Sequence, residues 1–411
     1  MNVTGIVAEY NPFHNGHKYQ IEQARKLTGA DYIIVALSGN FTQRGTPAIL
    51  NKYDRTKMAL LNGADLVVEL PSFYACSSAE YFAKGTMTLF EKLGVVDAIC
   101  FGSECGDLNA LTEIAKVLAF EPNDYKKELR ASLRNGYSYP SARNNALLAS
   151  LPGFAAYSTV ICYPNNILGI EYIKALLQLN SKIIPYTNER VGSGYHDYRL
   201  SKGYSSAISI RHALRLENPL EYVKEQMPEN CFEILKEAYG KATPVFQDDF
   251  TSTLKYRLLL EQENSYMQFA DVSEDLSNKM KKYLFTTTDI ASFCERLKTK
   301  DLTHARISRC LGHILLDLKQ PDLEEFLKEG TIFYGRILGF RTASAPLLTE
   351  LKNRSAIPLI TKVADAKNQL SEIGLKQLEK DMQASHIYES VVSTKFGVPM
   401  NNEYQREIIK C

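Results

Sequence analysis

Short, mainly apolar runs alternate with helical patterns over the first half of the chain, and this alternation narrows the possible folds more than any other feature. Runs at 3–7, 32–37, 66–70, 98–101 and 182–186 predict strands, and patterns of period 3.6 at 17–28, 52–62, 78–93, 108–120, 124–135, 141–150 and 166–179 predict helices. Strands that are apolar on both sides must be covered on both faces, so the segment predicts an α/β fold with a parallel sheet between helices. In such sheets ligands bind beyond the carboxyl ends of the strands. Five loops are expected there, at 10–16, 38–45, 71–78, 102–104 and 187–194.

The first loop has the most distinctive chemistry. It runs Glu9-Tyr10-Asn11-Pro12-Phe13-His14-Asn15-Gly16-His17 and opens a helix with Ile21, Ala24 and Leu27 on its apolar face. A helix N-terminus offers unpaired N–H groups and partial positive charge to an anion. Gly16 would let a phosphate approach the backbone, and the imidazoles of His14 and His17 can donate hydrogen bonds to it. Downstream, Ser205-Ser206-Ala207-Ile208-Ser209-Ile210-Arg211 starts another helix with small hydroxyl residues and an arginine one turn in. That is a second cradle for phosphate.

From 216 to 330 the period is helical throughout, and basic residues gather in its second part, among them Lys279, Lys282, Arg296, Lys300, Arg306 and Arg309. Beyond it, strands are expected at 332–340 and 357–361, with helices at 346–353 and 365–383. The chain therefore divides in expectation into units at 1–215, 216–330 and 331–411, and 411 residues suffice to give each a core. A net charge of +1 provides no global basic field, so any nucleic-acid site must be a local patch. The eight cysteines show no CxxC spacing and mostly lie in apolar runs, which favours reduced, buried thiols over a zinc site. With no basic n-region before the first strand and no apolar run long enough to span a bilayer, a cytoplasmic protein is expected.

The stretch Tyr10–His17 resembles the signature of the HIGH-motif nucleotidyltransferase superfamily. Ser206–Arg211 resembles its second signature, usually written ISSTxIR, with Ile208 in place of the threonine and Ser209 as the hydroxyl that would substitute for it. Together with SGNFTQRGTPAI, DLVVELPSFYACSSAEYFA, Pro164-Asn165-Asn166-Ile167-Leu168 and the helical C-terminal half, the chain resembles the bacterial tRNA(Met) cytidine acetate ligase family over most of its length. That resemblance implies a Rossmann-like nucleotidyltransferase domain followed by an α-helical region and a small α/β tail domain. It implies an enzyme that activates acetate with ATP and Mg²⁺ as acetyl-adenylate and makes N4-acetylcytidine at the wobble position of elongator tRNA(Met). Acetate and that tRNA are then the partners, with no part for DNA or a membrane.

On this resemblance His14 and His17 stabilise the α-phosphoryl transition state, and Arg211 with Ser206 and Ser209 holds the β,γ-phosphates. The ATP site is expected along Val7, Ala8, Glu9, Tyr10, Asn11, Pro12, Phe13, His14, Asn15, Gly16, His17, Lys18, Tyr19 and Gln20, with Gly102, Asn165, Asn166 and Arg190. One of Asn165 and Asn166 is expected to cap a helix and the other to touch adenine or ribose, while Glu9 either orients a histidine or lies buried and paired. Asn40, Gln43 and Arg44 form a polar cluster suited to the acetate end. Lys300, His304, Arg306 and Arg309 recur at about one helical turn and are the RNA candidates; no protein metal ligands are expected. Two other functions fit the first loop: a small-molecule nucleotidyltransferase making a cofactor or activated metabolite, and a non-catalytic RNA-binding scaffold. The long helical and tail region argues against the former, and the intact His14, Gly16, His17 and Arg211 against the latter.

Overall fold

All five expected strands form: β1 (Val3–Ala8), β2 (Tyr32–Ser38), β3 (Leu66–Leu70), β4 (Ala98–Ser103) and β5 (Ile184–Glu189). The computed structural model describes residues 1–151, 159–190, 200, 204–300 and 302–411. Residues 191–194 of the expected loop after β5 fall outside them. The strands pair parallel in the order β5-β4-β1-β2-β3. In β2 the side chains of Ile33, Ile34, Val35, Ala36 and Leu37 are all fully buried, because helices cover both faces. β5 starts and ends later than expected because it is the half-exposed edge strand, where Thr187, Asn188 and Glu189 need no apolar cover.

The chain lays β2 and β3 on one side of β1 and then returns to place β4 on the other. The order therefore reverses between β1 and β4, which makes that crevice the binding position of an open α/β sheet. Helix Asn15–Thr28 follows β1, and helix Pro164–Gln178 packs close to β4.

The expected separate tail domain does not form. β6 (Gly335–Phe340) pairs antiparallel with β3, and β7 (Leu359–Ile360) and β8 (Ile409–Lys410) both pair with β6, so the tail extends the first sheet. A buried charge cluster explains the junction. Lys52 Nζ lies 2.8 Å from Glu69 and 3.3 Å from Glu403, Arg336 lies 3.0 Å from Glu69 and also pairs with Glu403, and all four side chains are at most 3% exposed. Two cations and two carboxylates neutralise each other there, which is the condition for burying charge. The tail helix, expected at 365–383, runs instead over Glu372–Phe396 and adds the Ser385 hydroxyl as an acceptor for Lys52.

Nor is 216–330 a separately cored unit, since Val245, Leu254, Ile307 and Leu311 belong to the same hydrophobic cluster as Leu66, Val68 and Leu70. Its helix His304–Leu315 meets the turn at 42–46 backbone to backbone. A Cβ on Gly312 would lie 2.7 Å from the Gly45 carbonyl oxygen, and Gly45 itself holds φ +68°. Any larger residue at either position would push this helix off the loop. Among the described residues no two cysteines form a disulfide. Among the described residues no helix is long and apolar enough to cross a membrane.

Candidate active site

The carboxyl ends of β1 and β4 open into a cleft of about 490 Å³. Its chemistry centres on the two histidines. His14 is the N-cap of helix Asn15–Thr28 in extended backbone, and its Nδ1 accepts the Gly16 N–H at 3.1 Å. The Nδ1 of His17 accepts the His14 N–H at 3.3 Å. This reciprocal capping box does more than finish the helix. With each Nδ1 occupied as an acceptor, the proton of a neutral ring sits on Nε2, so both imidazoles keep one N–H donor. The rings stack 3.7 Å apart, and Tyr10 meets His17 edge-on at 4.8 Å. Gly16 is required for this arrangement: a Cβ there would lie 2.9 Å from the His14 ring.

Both rings are neutral at ordinary pH. Burial, with Arg190 and Arg211 nearby, pushes His14 down to about 3, and burial with His14 and Arg190 pushes His17 well below the usual histidine range. The unfolded chain takes up these protons below a pH of about 6.5 and the folded one does not. Their contribution to stability is therefore complete above that pH and lost as pH falls, by up to ~1.4 kcal/mol per pH unit for each ring. Urea unfolding between pH 7 and 5 is expected to show this slope, and His17→Ala is expected to reduce it; an unchanged slope would mean that His17 is charged in the fold.

Four guanidinium groups surround the pair: Arg44, Arg190, Arg211 and Arg309 all line the cleft. Arg211 Nη1 donates to the Asn11 carbonyl at 2.7 Å; burial lowers its pKa to about 10, so it stays cationic. Arg190 reaches Asn165 Oδ1 at 3.5 Å and lies over Gly102, where a Cβ would stand 3.1 Å from its Cγ. Arg309 is partly neutralised by Asp271 at 3.1 Å. The lining carboxylate is Glu9, whose Oε1 accepts the Gln43 N–H at 2.9 Å. Glu9 thus holds the turn that presents Gln43 and Arg44. A chain with almost no net charge therefore concentrates positive potential in one concave place, as a polyphosphate requires.

Besides these, Val7, Ala8, Tyr10, Asn11, Gln20, Gly102, Asn165 and Ser206 of the expected set line the cleft. Other residues are placed elsewhere. Pro12 and Phe13 are buried under the loop, Lys18 is exposed on the outer side of the helix, Tyr19 packs edge-on against Tyr204, and Asn15 Nδ2 donates to the Glu225 carbonyl. Asn40 is 3% exposed, and its Oδ1 accepts the Lys52 N–H, so it organises the next helix instead of facing acetate. Asn166 is fully buried and accepts the N–H groups of Glu104 and Cys105, which leaves Asn165 as the one facing the cleft. Ser209 is fully buried and its hydroxyl donates back to the Ser206 carbonyl at 2.8 Å, so it does not replace the missing threonine hydroxyl. Of the RNA candidates, Lys300 and His304 are exposed, and Arg306 shares Asp271 with Arg309.

Two organising residues escape a reading of the sequence. Arg55, fully buried, donates to the carbonyls of Glu9, Ser38, Gly39 and Leu50, tying together the loops after β1 and β2. The Glu104 carboxylate accepts the N–H groups of Asn165 and Asn166 and caps helix Pro164–Gln178. The apolar wall of Phe101, Leu168 and Tyr172 does have a signal, since Leu168 and Tyr172 are one turn apart on that helix.

Stacked histidines at a strand-to-helix turn, facing arginines across the switch point of a parallel sheet, define a nucleotidyltransferase of the HIGH class. A family model described as HIGH nucleotidyl transferase matches residues 1–403. The tRNA(Met) cytidine acetate ligase of Acetivibrio thermocellus is 40% identical over 392 residues, covering 94% of this chain and 94% of its own length. That of Clostridium novyi is 38% identical over 391 residues, with 95% and 96% covered. The crystal structure of Thermotoga maritima TmcAL superposes with a TM-score of 0.94 as the apo form and 0.92 bound with alpha-thio ATP, at 31% identity over 100% of this chain and 99% of that one. The chain belongs to the tRNA(Met) cytidine acetate ligase family of the HIGH nucleotidyltransferases.

Proposed function

We propose that this chain is an ATP-dependent ligase that activates acetate as acetyl-adenylate and transfers the acetyl group to N4 of the wobble cytidine of elongator tRNA(Met). The observation that carries the proposal is the pair of neutral, Nδ1-locked imidazoles beside Arg190 and Arg211. In the first step a carboxylate oxygen of acetate attacks the α-phosphorus and pyrophosphate leaves in line. Acetate is already a nucleophile and loses no proton, so neutral donors suffice and no base is needed. The Nε2–H groups of His14 and His17 stabilise charge on the α-phosphoryl oxygens, and Arg211, with Ser206 beside it, holds the departing diphosphate. Asn165 meets the nucleoside, and Gln43 and Arg44 face the acetate end. In the second step the cytosine amine attacks the acyl carbon, AMP leaves with the oxygen that joined the two, and the amine loses a proton to solvent. The base must leave its stack to reach the cleft.

Among the described residues no three His, Cys, Asp or Glu side chains converge, and Glu9, which lines the cleft, accepts the Gln43 N–H. An Mg²⁺ ion that accompanies ATP would therefore be held mainly by phosphate oxygens, with Glu9 as the carboxylate at hand. The setting is the cytoplasm, where tRNA is, without a role for DNA or a membrane.

Incubation with ATP, labelled acetate and elongator tRNA(Met) is expected to yield AMP and acetylated cytidine; ATP turnover without acetylated RNA would refute the assignment. Lys300 and Arg306 lie outside the cleft lining, and in this reading they contact the tRNA. Their joint replacement by alanine is expected to weaken tRNA binding severalfold and to lower the salt slope by about two, because each phosphate contact releases roughly one counterion. Acetate-dependent ATP–pyrophosphate exchange should stay unchanged, and unaltered tRNA affinity would remove both residues from the interface.

A further inference from the structure

The helix Asn123–Arg134, inserted between β4 and β5, carries Lys126, Lys127, Arg130 and Arg134 in an arc of about 100° at ideal helical spacing. All four are exposed, and among the described residues none has a carboxylate partner. The helix's own acids do not neutralise them. Asp124 stands one turn before Lys127 but forms no ion pair with it, and Glu128 projects from the far side of the helix at that spacing and takes the Ser132 hydroxyl at 2.9 Å. In the helical region several cations are already engaged, Lys279 with Asp275, Lys298 with Glu295, and Arg306 and Arg309 with Asp271, while among the described residues Arg296 and Lys300 carry no ion pair but form no such continuous row. Unpaired cations in a row on a nearly neutral chain are a local electrostatic footprint. Residues one turn apart are about 6 Å apart along the axis, comparable with the step between successive phosphates of a nucleic-acid strand.

Two further observations connect the stripe to RNA. Tyr137 and Tyr139, just beyond the helix, are 54% and 58% exposed, which suits stacking on unpaired bases. The next helix, Tyr139–Ser150, packs against helix Asn123–Arg134 and is tied to the cleft by Arg143, 3.7 Å from Glu171 on helix Pro164–Gln178, whose first turn lines the site. A ligand held on the stripe is therefore held in a defined position relative to the reacting groups.

We infer that Lys126, Lys127, Arg130 and Arg134 form a second RNA-binding surface, which grips the phosphate backbone of the tRNA substrate away from the reacting base. This rests on the tRNA ligase assignment above. The contacts are charge to phosphate, so they raise affinity without reading sequence.

The test compares the wild-type protein with a variant carrying Lys126→Ala, Lys127→Ala, Arg130→Ala and Arg134→Ala, by filter binding of tRNA(Met) over a salt series. The variant is expected to bind about tenfold or more weakly, with a salt slope lower by about two to three. Its acetate-dependent ATP–pyrophosphate exchange should match the wild type, which also reports that the fold is intact. A milder variant, Arg130→Lys with Arg134→Lys, is expected to retain binding, since point charges suffice. Equal tRNA affinity and slope in wild type and quadruple variant overturn this inference alone. So does a loss confined to binding of vesicles containing an anionic lipid. A wild-type protein that binds no tRNA overturns the proposed function as well.

Discussion

Replacing His17 by alanine is expected to reduce acetate-dependent ATP–pyrophosphate exchange by about 10²–10³-fold, the usual cost of removing one preorganised donor from developing oxyanion charge. The effect should fall on kcat, because a donor aimed at the α-phosphoryl group acts most strongly in the transition state. The fold should survive. His17 is half-buried at the cleft wall, Tyr10 and Phe13 keep their edge-to-face contact at 4.7 Å, and the loss leaves one backbone N–H, that of His14, without its acceptor. That omission costs about 1–3 kcal/mol. Activity within threefold of wild type would exclude His17 from the transition state.

The largest effect on stability is expected elsewhere, at Glu403. Burial opposes its ionisation, but Lys52 and Arg336 outweigh it and hold the carboxyl at about 2. Glu403→Ala leaves Lys52 and Arg336 facing only Glu69, and Tyr53 loses its acceptor at 2.9 Å. Breaking a buried ion cluster by removing one partner costs ~3–5 kcal/mol. The urea midpoint should drop accordingly, while exchange activity per folded molecule persists, because none of these side chains lines the cleft. A midpoint shift under 1 kcal/mol would mean that the cluster does not fasten the tail to the sheet. Because the folded pKa is depressed, the contribution of Glu403 is present above its unfolded value near 4.3 and is lost as pH falls towards 2.

The parts of the molecule that were legible in the sequence are local. The apolar runs of β1 to β4 announce strands, and the passage from Val7 to His17 announces a strand, a tight loop and a helix start, each through the chemistry of neighbouring residues. What could not be read depends on partners far along the chain. Nothing near residue 335 says that it will extend the first sheet; the reason is Arg336 meeting Glu69, 267 positions earlier, and Glu403. Asn40, Asn166 and Ser209 are residue types that suit a ligand, yet each is used by a nearby backbone group, and only the fold decides which use wins. Arg55 is the converse case. A cation among the charged residues of the first turns of its helix looks like a surface residue until four carbonyl oxygens converge on it.

The proposed role of the histidine pair requires attack at the α-phosphorus, and the oxygen atoms would keep a record of that. With acetate labelled in both oxygens by ¹⁸O, ATP and elongator tRNA(Met), the AMP released is predicted to carry one ¹⁸O on its phosphate and the pyrophosphate none. Label in ADP or inorganic phosphate instead, or acetylated cytidine formed with unlabelled AMP, would contradict acetyl-adenylate as the intermediate.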